Sequence, residues 1–473
     1  MKKPSGSTKI HFVKGDHLHL IGIGGSGMNG LVNCLIQKGV KISGCDLQYG
    51  AELKKLHDKG VKIYTGHDAN HITPDCTIVV KSAAIDDTNP EIIKAKKLKI
   101  PIIKYAQLLG YLMKEREGIA VSGCHGKTTT SALIAYTLSV AKKDPSFVIG
   151  GFVTDLNSSA KLGEGKQFVA EACEYDKSFH NLCYKIAVIT NIEEDHLDYY
   201  KNLDNIISAF RIFAENVPSN GAIIANLDNE NVQKAIKGIK RTIIPFSLDS
   251  TSDASVNGWI ATDIKAKQNK WHFTALYKGK KYGDFILGIA GLHNVYNALA
   301  VLAAANLIGI DKADVKKALS EFTGVARRFQ TIGTYNGAQI IDDYGHHPTE
   351  IATILETAHI KFPDKHIWVV FQPHQASRTR LFLEDFADVL TKADRAIVSD
   401  IFFARDSETE KKKINSRDIV RLINQSGGNA LHIATFPDIL KYLKGELTQE
   451  DVVITIGAGD VYKVAHQLID KAH

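Results

Sequence analysis

The chain has 473 residues, of which 44% are hydrophobic and 23% charged, and its formal net charge is +6. This length predicts more than one domain, and the composition excludes disordered, collagen-like and membrane-embedded classes. The small, scattered positive charge gives little reason to expect a nucleic-acid partner. Because no apolar leader and no run of about 18 apolar residues is present, we expect a cytoplasmic protein without a membrane partner.

Six cysteines are present, at positions 34, 45, 76, 124, 173 and 183. None belongs to a CxxC pair, and several lie in apolar runs, where a thiol behaves as a small hydrophobic group. We therefore expect reduced thiols and no zinc site.

The N-terminal part of the chain predicts parallel βαβ units, with strands at residues 17–21, 40–45 and 77–81 and a helix from about Ser26. A glycine-rich turn, Gly22-Ile23-Gly24-Gly25-Ser26-Gly27, joins the first strand to this helix, and Asp46 follows the second strand. Such a turn suits a nucleotide diphosphate at the helix N-terminus, with the carboxylate on a ribose hydroxyl. The alternative is a tight strand-to-helix crossing without a ligand.

A second βαβ system starts with a predicted strand at residues 118–122 and continues through a glycine loop into a helix from about Lys127. The loop reads Gly123-Cys124-His125-Gly126-Lys127-Thr128-Thr129. Glycines let successive backbone N–H groups point at phosphate oxygens, and the helix N-terminus adds partial positive charge. Lys127 is then placed for the terminal phosphates and Thr128 for Mg²⁺. The glycines are closer together than in a standard Walker A motif, so we predict a short phosphate loop.

Two further predicted strands of this system, at residues 167–172 and 186–191, are followed by Glu174 and His196. The carboxyl ends of strands in a parallel sheet share one crevice, so both side chains are expected to converge on a metal ion near the phosphate loop. Taken singly, each would be an ordinary surface acid or a hydrogen-bonded histidine. The weakly patterned stretch 247–281 predicts antiparallel strands inserted in the same domain.

A third α/β system follows Gly324, with predicted strands at residues 338–342, 367–371, 396–399 and 452–456. Apolar side chains at positions 351, 354, 355 and 358 predict a helix that begins at Pro348 and packs one face on the sheet. Two strand ends rich in His and Arg predict a pocket for a substrate carboxylate. Either His346 or His347 could instead cap the helix, and the Arg327-Arg328 pair could face ATP phosphates or lie on the surface.

These segments together resemble the Mur ligases of peptidoglycan synthesis over nearly the whole chain. The similarity rests on residues 19–28, the phosphate loop, and segments 190–196, 291–298, 327–329, 342–348 and 371–374. It implies an α/β fold of three domains: a Rossmann-like UDP-sugar domain at 1–112, a central P-loop ATPase domain with a mostly parallel sheet at 113–323, and a Rossmann-like amino-acid domain at 324–473.

The resemblance also implies an activity, in the alanine-adding branch of the family. ATP and Mg²⁺ would serve to join the carboxylate of UDP-N-acetylmuramate to L-alanine, in cell-wall biogenesis, by a monomer or weak homodimer. An unactivated carboxylate has no adequate leaving group for attack by an amine, so an acyl phosphate made from ATP is expected as the intermediate.

Site roles carried over by position fall into four groups. Catalytic roles are implied for Lys127, Glu174, His196, Arg328 and His347. Nucleotide contacts are implied for Gly123, Cys124, His125, Gly126, Lys127, Thr128, Thr129, Asn294, Arg327 and Asp343. Metal ligands are implied at Thr128, Glu174 and His196. Substrate contacts are implied for Gly22, Gly24, Gly25, Ser26, Gly27, Asp46, Tyr344, His346, His374, Arg378 and Arg380.

Three alternative functions stay open at this point. A muropeptide-recycling ligase would use the same motifs but add a tripeptide to the same UDP-sugar. A nicotinamide-dependent oxidoreductase would explain the Gly22 turn and Asp46 but leaves the phosphate loop without a role. A nucleotide-binding regulator would bind ATP without chemistry.

Overall fold

The computed structural model describes residues 12–268, 270–404 and 406–469. By its internal contacts the chain divides into two compact units. The first contains residues up to 262 together with 274–283 and 296–320, and the second contains 263–273, 284–295 and the rest from 321. Within the described ranges, none of the helices combines the length and apolar character needed to cross a bilayer.

The first unit begins with a five-stranded parallel sheet in the order β3-β2-β1-β4-β5. The order changes direction at β1, and in such sheets ligands bind at the carboxyl ends of the strands beside this point. The elements are β1 (His17–Ile21), α1 (Ser26–Gln37), β2 (Lys41–Asp46), α2 (Ala51–Asp58), β3 (Lys62–Thr65), a 3₁₀ turn (Ala69–His71), β4 (Ile78–Lys81), α3 (Pro90–Lys97), β5 (Ile102–Lys104) and α4 (Tyr105–Met113).

A second, ten-stranded sheet has the order β15-β14-β13-β12-β11-β10-β6-β9-β7-β8. Its strands β6 to β12 are β6 (Glu117–Ser122), β7 (Ser146–Val153), β8 (Ser158–Lys161), β9 (Gln167–Glu171), β10 (Ile186–Ile189), β11 (Ala222–Asn226) and β12 (Thr242–Ser247). The helices are α5 (Lys127–Val140), α6 (Leu197–Tyr200), α7 (Leu203–Glu215), α8 (Glu230–Ile236), α9 (Ala254–Asn257), α10 (His293–Ile308) and α11 (Lys312–Glu321). The central strand β6 pairs in parallel with both β10 and β9, so the ends of these three strands meet at one edge.

The predicted stretch does contain strands, although its first strand pairs in parallel with β12. Three strands follow one another in the sheet, β13 (Trp259–Lys267), β14 (Lys270–Tyr277) and β15 (Lys280–Leu287). Successive strands are separated by two residues, the spacing of antiparallel hairpins, and their exposed and buried residues alternate as expected for a sheet with one solvated face.

The second unit is built on a six-stranded sheet in the order β16-β17-β21-β18-β19-β20, parallel except for the β16–β17 pair. Its strands are β16 (Gln330–Tyr335), β17 (Ala338–Asp343), β18 (His366–Phe371), β19 (Arg395–Val398), β20 (Ala430–His432) and β21 (Asp451–Ile456). Its helices are α12 (Pro348–Lys361), α13 (Ala376–Leu381), α14 (Leu383–Leu390), α15 (Glu408–Lys411), α16 (Ser416–Gln425), α17 (Phe436–Glu446) and α18 (Tyr462–Ile469).

The predicted apolar stripe of α12 is confirmed, since Ile351, Ile354, Leu355 and Ala358 are all buried. They pack against β-branched and aromatic side chains of the sheet, among them Ile367 and Phe371. The three α/β systems predicted from the sequence therefore correspond to the three sheets, and the predicted fold class is confirmed. The predicted domain boundaries stay predictions.

Candidate active site

The predicted phosphate loop joins β6 to α5, and two of its glycines occupy positions that no other residue fits. Gly123 has φ +141°, and a Cβ there would lie 2.0 Å from Thr190 Oγ1. Gly126 has φ +79°, and a Cβ there would lie 2.8 Å from Asn297 Oδ1. Both backbone conformations are rare for residues with a side chain, so the loop geometry depends on these glycines.

We expect Gly123→Ala to distort the loop, because neither its φ nor the space beside Thr190 admits a Cβ. The variant should unfold at lower temperature, because its free energy of unfolding should fall by roughly 1–3 kcal/mol. It should also lose most of its affinity for ATP. Thermal unfolding and an ATP titration measure the two effects. Gly445→Ala in α17 is the matched control: nothing lies within 4 Å of its added Cβ, so stability should stay equal or rise. Unchanged ATP binding by the Gly123 variant would contradict this account of the loop.

The loop is fastened to the residues that follow β10. The backbone N–H of His125 donates to Asn191 Oδ1 at 2.8 Å, and the Cys124 N–H donates to the Asn191 carbonyl at 3.2 Å. Thr190 Oγ1 donates to the His125 carbonyl at 2.6 Å. Thr130 Oγ1, in the first turn of α5, donates to Asn297 Oδ1 at 3.0 Å. Asn191 and Asn297 were not among the predicted site residues, yet they hold the loop in shape.

Lys127 opens α5 and points back across the loop. Its Nζ donates to the carbonyls of Gly123 and Cys124 and, at 3.0 Å, to Glu174 Oε1. Burial disfavours the charged ammonium, but the Glu174 carboxylate together with other nearby groups outweighs this effect and raises the pKa of Lys127. Lys127 therefore places a positive charge beside the phosphate loop, and its predicted contact with the terminal phosphates stays a prediction.

Glu174 and His196 converge as predicted, and Asp195 joins them. His196 Nε2 lies 3.8 Å from Glu174 Oε1 and 3.6 Å from Asp195 Oδ2. One ligand atom from each of the three residues lies within 4.8 Å of the others. His196 has φ +53°, an uncommon conformation for a residue with a side chain, which is often found at functional sites. Asp195 stood beside His196 in the sequence, so the same strand-end argument could have included it.

The donor set fits a magnesium ion. Glu174 is 2% exposed, and its Oε2 has no hydrogen-bond partner among the described residues. An orphaned buried carboxylate oxygen is costly and indicates a missing cationic partner. Thr128 Oγ1 donates to Glu171 Oε1 at 3.0 Å, which leaves its lone pairs for a cation. Oxygen ligands of this kind are those that Mg²⁺ prefers.

The second predicted nucleotide element, the turn after β1, forms as expected. Gly22 has φ +79°, and the N–H groups of Gly22 and Ile23 both donate to the Cys45 carbonyl. Asp46 Oδ2 accepts the Gly24 N–H at 2.9 Å. This carboxylate therefore also holds the turn itself, a role that the sequence did not predict.

The remaining residues of this turn start α1 directly. Helix α1 begins at Ser26, and its N-cap residue Gly25 makes no side-chain cap. A Cβ on Gly27 would lie 2.8 Å from the Tyr105 hydroxyl oxygen, so the helix approaches Tyr105 closely. Because the N-cap residue is a glycine, it has no side chain to cap the backbone N–H groups at the start of α1. A diphosphate site requires such uncapped N–H groups.

In the second unit, the Arg327 side chain contacts other residues of the same unit. Its guanidinium donates to Asp342 Oδ2 at 3.0 Å and to the carbonyls of Gly457 and Gly459 at 2.6 and 3.3 Å. It also lies over the rings of Tyr344 and Tyr462. These contacts hold the guanidinium among residues of its own unit, and the predicted contact of Arg327 with ATP stays a prediction. Arg328 lies 3.8 Å from Glu350 Oε1 and 5.3 Å from the centre of the Tyr344 ring.

Asp343, predicted to reach ATP, is 6% exposed and accepts the N–H groups of Phe329 and Gly345 at 2.7 and 2.6 Å. Burial raises the pKa of Asp343 to about 6, although Arg328 and these two N–H groups pull it down. Asp343 thus ties the Arg327-Arg328 segment to the end of β17.

The raised pKa of Asp343 predicts a pH dependence of stability. Because the folded-state pKa of Asp343 is above the ordinary 3.8, the stability that the protonated carboxyl contributes is complete at low pH. This stability is lost as the pH rises through about 6. Asp343→Asn is neutral at all these pH values, so its stability relative to the natural protein should improve by roughly 1–3 kcal/mol between about pH 4 and about pH 8. Thermal unfolding across this range measures the difference, with Asp364→Asn, on an exposed position, as control. A stability difference between Asp343→Asn and the natural protein that does not change with pH would refute the raised pKa of Asp343.

His347 caps α12 and is the member of the histidine pair to which the capping alternative applies. Its side chain accepts the Thr349 N–H, while the Glu350 side chain accepts the His347 N–H. Its ring packs edge-on against Phe382 at 4.7 Å. His347 is 6% exposed and is used in the helix cap, and its predicted catalytic role stays a prediction.

Four of the predicted amino-acid contacts, Tyr344, His346, His374 and Arg378, meet in this unit, and Arg380 does not. The rings of His346 and His374 are 6.1 Å apart, and Arg378 donates to His374 Nδ1 at 3.4 Å. Tyr344 lies edge-on to His346 at 5.8 Å. Arg380 instead points to Glu410 Oε2 at 3.6 Å and is half exposed. A buried Arg378 beside two imidazoles can bind a carboxylate.

Asn294, predicted to contact adenine, is buried at the start of α10. Its Nδ2 donates to the Ala290 carbonyl at 2.6 Å. This contact fixes the amide orientation, and the predicted role stays a prediction.

The strand–loop–helix with its buried cation and acid–histidine cluster defines a nucleotide-binding α/β enzyme of the phosphoryl-transfer type. Three family models match the chain: the Mur ligase family catalytic domain at residues 17–117, the Mur ligase middle domain at 121–305 and the Mur ligase glutamate ligase domain at 327–459. The chain belongs to the Mur ligase family.

Relatives and solved structures agree with this placement. A UDP-N-acetylmuramate–L-alanine ligase of Caldanaerobacter subterraneus subsp. tengcongensis is 42% identical over 98% of this chain and 99% of its own. The crystal structure of a UDP-N-acetylmuramate–alanine ligase from Thermotoga maritima has a TM-score of 0.81 at 27% identity, covering 96% of this chain and 98% of that one. A murein peptide ligase from Psychrobacter arcticus has a TM-score of 0.73 at 27% identity, with the same coverage.

Proposed function

We propose that this chain is an ATP-dependent ligase that joins the carboxylate of UDP-N-acetylmuramate to the amine of L-alanine in the cytoplasm. The observation that carries the proposal is the convergence of Lys127, Glu174 and His196 beside the short phosphate loop. The substrate pair comes from the relative that is 42% identical over nearly the whole chain.

The phosphate loop binds and orients ATP in this proposal. Backbone N–H groups of the loop and the start of α5 donate to phosphate oxygens, and Lys127 exchanges its two loop carbonyls for the terminal phosphates. Mg²⁺ held by Thr128, Glu174 and His196 would offset the negative charge that develops on the transferred group. The predicted catalytic role of Arg328 stays a prediction.

The turn after β1 binds the UDP-sugar. Its diphosphate lies at the start of α1, and the Asp46 carboxylate, whose Oδ1 and Oδ2 accept the N–H groups of Leu47 and Gly24, accepts a ribose hydroxyl as well. The substrate carboxylate attacks the γ-phosphorus of ATP and ADP leaves, which gives an acyl phosphate. The amine then attacks the carbonyl carbon, phosphate leaves, and loss of an amine proton completes the amide.

The amino-acid end of the site is assigned to Tyr344, His346, His374 and Arg378. Arg378 is buried and carries a permanent charge, so it pairs with the carboxylate of alanine, and the two imidazoles line the space beside it. Arg380 is left out of this set because it lies at the surface with Glu410. The protein is expected to act as a monomer or weak homodimer.

The test is phosphate release from ATP in the presence of UDP-N-acetylmuramate, measured amine by amine. L-Alanine should stimulate release and yield one equivalent of amide product per phosphate. Glycine, L-serine and the recycling tripeptide are the comparison amines. No release with L-alanine, or release only with the tripeptide, would overturn the proposal.

The recycling ligase remains the second candidate, because the murein peptide ligase from Psychrobacter arcticus shares the fold over 96% of this chain. The relatives at higher identity carry the alanine ligase name, which favours L-alanine. Membership of the Mur ligase family leaves no support for a nicotinamide-dependent oxidoreductase or for a regulator without chemistry.

A further inference from the structure

A second group of metal-binding side chains lies in the five-stranded sheet domain, apart from the proposed ATP site. Its centre is Glu91, fully buried in the first turn of α3. Cys45 Sγ, at the end of β2, donates to Glu91 Oε2 at 2.9 Å. His67 Nδ1 lies 3.3 Å from this sulfur and 3.5 Å from Glu91 Oε2. His71 Nδ1 lies 2.5 Å from Glu91 Oε1, and His19 Nε2 lies 3.8 Å from the same oxygen.

These side chains face one another from four separate elements. His19 comes from β1, Cys45 from β2, His67 and His71 from the segment after β3, and Glu91 from α3. His19, Cys45 and Glu91 are each inaccessible to solvent, and their ligand atoms lie within 4.8 Å of one another. A buried carboxylate facing a thiol and three imidazoles is a donor set that borderline-soft cations prefer.

The neighbours of His19 fix which ring nitrogen faces the cluster. His19 Nδ1 and His17 Nε2 each lie 2.8 Å from Ser43 Oγ, and His17 Nδ1 lies 3.0 Å from Asp75 Oδ2. If His19 Nδ1–H donates to Ser43, the serine O–H donates to His17 Nε2 and His17 Nδ1–H donates to Asp75. This series of hydrogen bonds leaves the His19 Nε2 lone pair directed at Glu91 and Cys45. Metal-binding histidines in proteins have the same orientation.

A hydrogen-bonded polar core is the simpler explanation of such a group. It accounts for the Cys45, His71 and Glu91 contacts, and the carboxylate also lies near the N–H groups at the start of α3. It does not account for His19 Nε2, which is fully buried and has no hydrogen-bond partner among the described residues. Such an orphaned acceptor requires an explanation.

We propose that this group is a zinc site, with His19 Nε2, Cys45 Sγ, His67 Nδ1 and Glu91 Oε2 as ligands. Tetrahedral coordination at ordinary Zn–N and Zn–S distances separates ligand atoms by about 3.3–3.8 Å. The Cys45–His67 and His67–Glu91 separations of 3.3 and 3.5 Å already have this size. The thiol proton, now shared with Glu91, is released to solvent as zinc binds, while His71 keeps its hydrogen bond to Glu91 Oε1.

The site would join the glycine turn to the rest of its domain. The Cys45 carbonyl accepts the N–H groups of Gly22 and Ile23, so an ion on the Cys45 sulfur fixes the residue on which this turn rests. The proposal replaces our expectation of no zinc site, which rested on the absence of a CxxC pair. Ligands separated by more than 20 residues along the chain leave no such spacing.

Metal binding by the full-length protein tests the proposal. After removal of metal with a chelator, Zn²⁺ should bind in competition with a chromophoric chelator and raise the thermal unfolding midpoint. Co²⁺ in its place should give thiolate-to-cobalt charge-transfer absorption. Cys45→Ser should abolish this absorption and weaken zinc binding about 100-fold or more. His67→Ala, at an 18% exposed loop position, should also weaken it and serves if the cysteine variant does not fold.

Two matched cysteine variants separate this site from other thiols. Cys34→Ser removes a buried thiol of the same domain, and Cys173→Ser removes the thiol next to Glu174. Both should keep the cobalt absorption and the tight zinc binding. Absence of thiolate-to-cobalt absorption in the natural protein, or its persistence in Cys45→Ser, would overturn the proposal. Neither measurement depends on ligase activity, so the proposed function stands or fails separately.

Discussion

Lys127→Ala will lower ligase turnover about 10³-fold or more while leaving UDP-N-acetylmuramate binding intact. The Lys127 ammonium lies over the phosphate loop, 3.0 Å from Glu174 Oε1. Removing it takes away the charge that offsets the developing negative charge during phosphoryl transfer, an effect of this size in comparable sites. Phosphate release under saturating substrates measures turnover, and titration calorimetry measures UDP-sugar affinity.

Lys441→Ala, an exposed change on α17, is the control for Lys127→Ala and should leave both measurements unchanged. Because Glu174 loses its partner in Lys127→Ala, the unfolding midpoint of that variant should also fall. Turnover within tenfold of the natural protein would show that the loop is not the catalytic phosphate site.

Glu174→Gln should lower turnover about 10²-fold and raise the Mg²⁺ concentration needed for half-maximal rate. The neutral amide keeps the size of the side chain but offers a cation no negative charge, and it removes the 3.0 Å ion pair with Lys127. Initial rates at a series of Mg²⁺ concentrations separate the two effects.

Glu164→Gln is the matched control, since Glu164 is an exposed acid of the same unit. It should behave as the natural protein at every Mg²⁺ concentration. An unchanged Mg²⁺ requirement in Glu174→Gln would remove this residue from the metal site, whatever happens to the rate.

Local patterns in the sequence were enough to predict the parts of the site that single segments build. The glycines of both turns have to follow a strand and precede a helix, and β1, α1, β6 and α5 lie where this pattern placed them. Glu174 and His196 could be paired before the fold was known because both follow parallel strands of one sheet, and such strand ends share an edge.

Contacts between distant segments could not be predicted in the same way. Asn191 lies 66 residues from His125, and Asn297 lies 167 from Thr130, and an asparagine in a loop or helix shows no periodicity that would connect it to a partner. The same reason hid the group around Glu91. The antiparallel edge strand β16 and the three-residue β20 were also absent from the prediction, since short edge strands have weak apolar patterns.

His347 and Arg327 differ in how much of their surroundings the sequence could show. His347 stands before Pro348 and three residues before Glu350, a recognisable helix start, so its capping role was already one of two open alternatives. Arg327 had no such local signal. Its guanidinium contacts carbonyls about 130 residues away along the chain. The sequence shows that an arginine is present but not which distant groups it contacts.

The unpaired Oε2 of Glu174 also bears on how long the protein survives in a cell. A buried oxygen without a partner makes the empty fold less stable than the same fold with a cation and nucleotide bound. Proteases act on transiently opened chains, so the lifetime of the protein should lengthen when its substrates are abundant and shorten when ATP runs low. The residue that would hold the metal thus also links the abundance of the enzyme to the energy supply of its host.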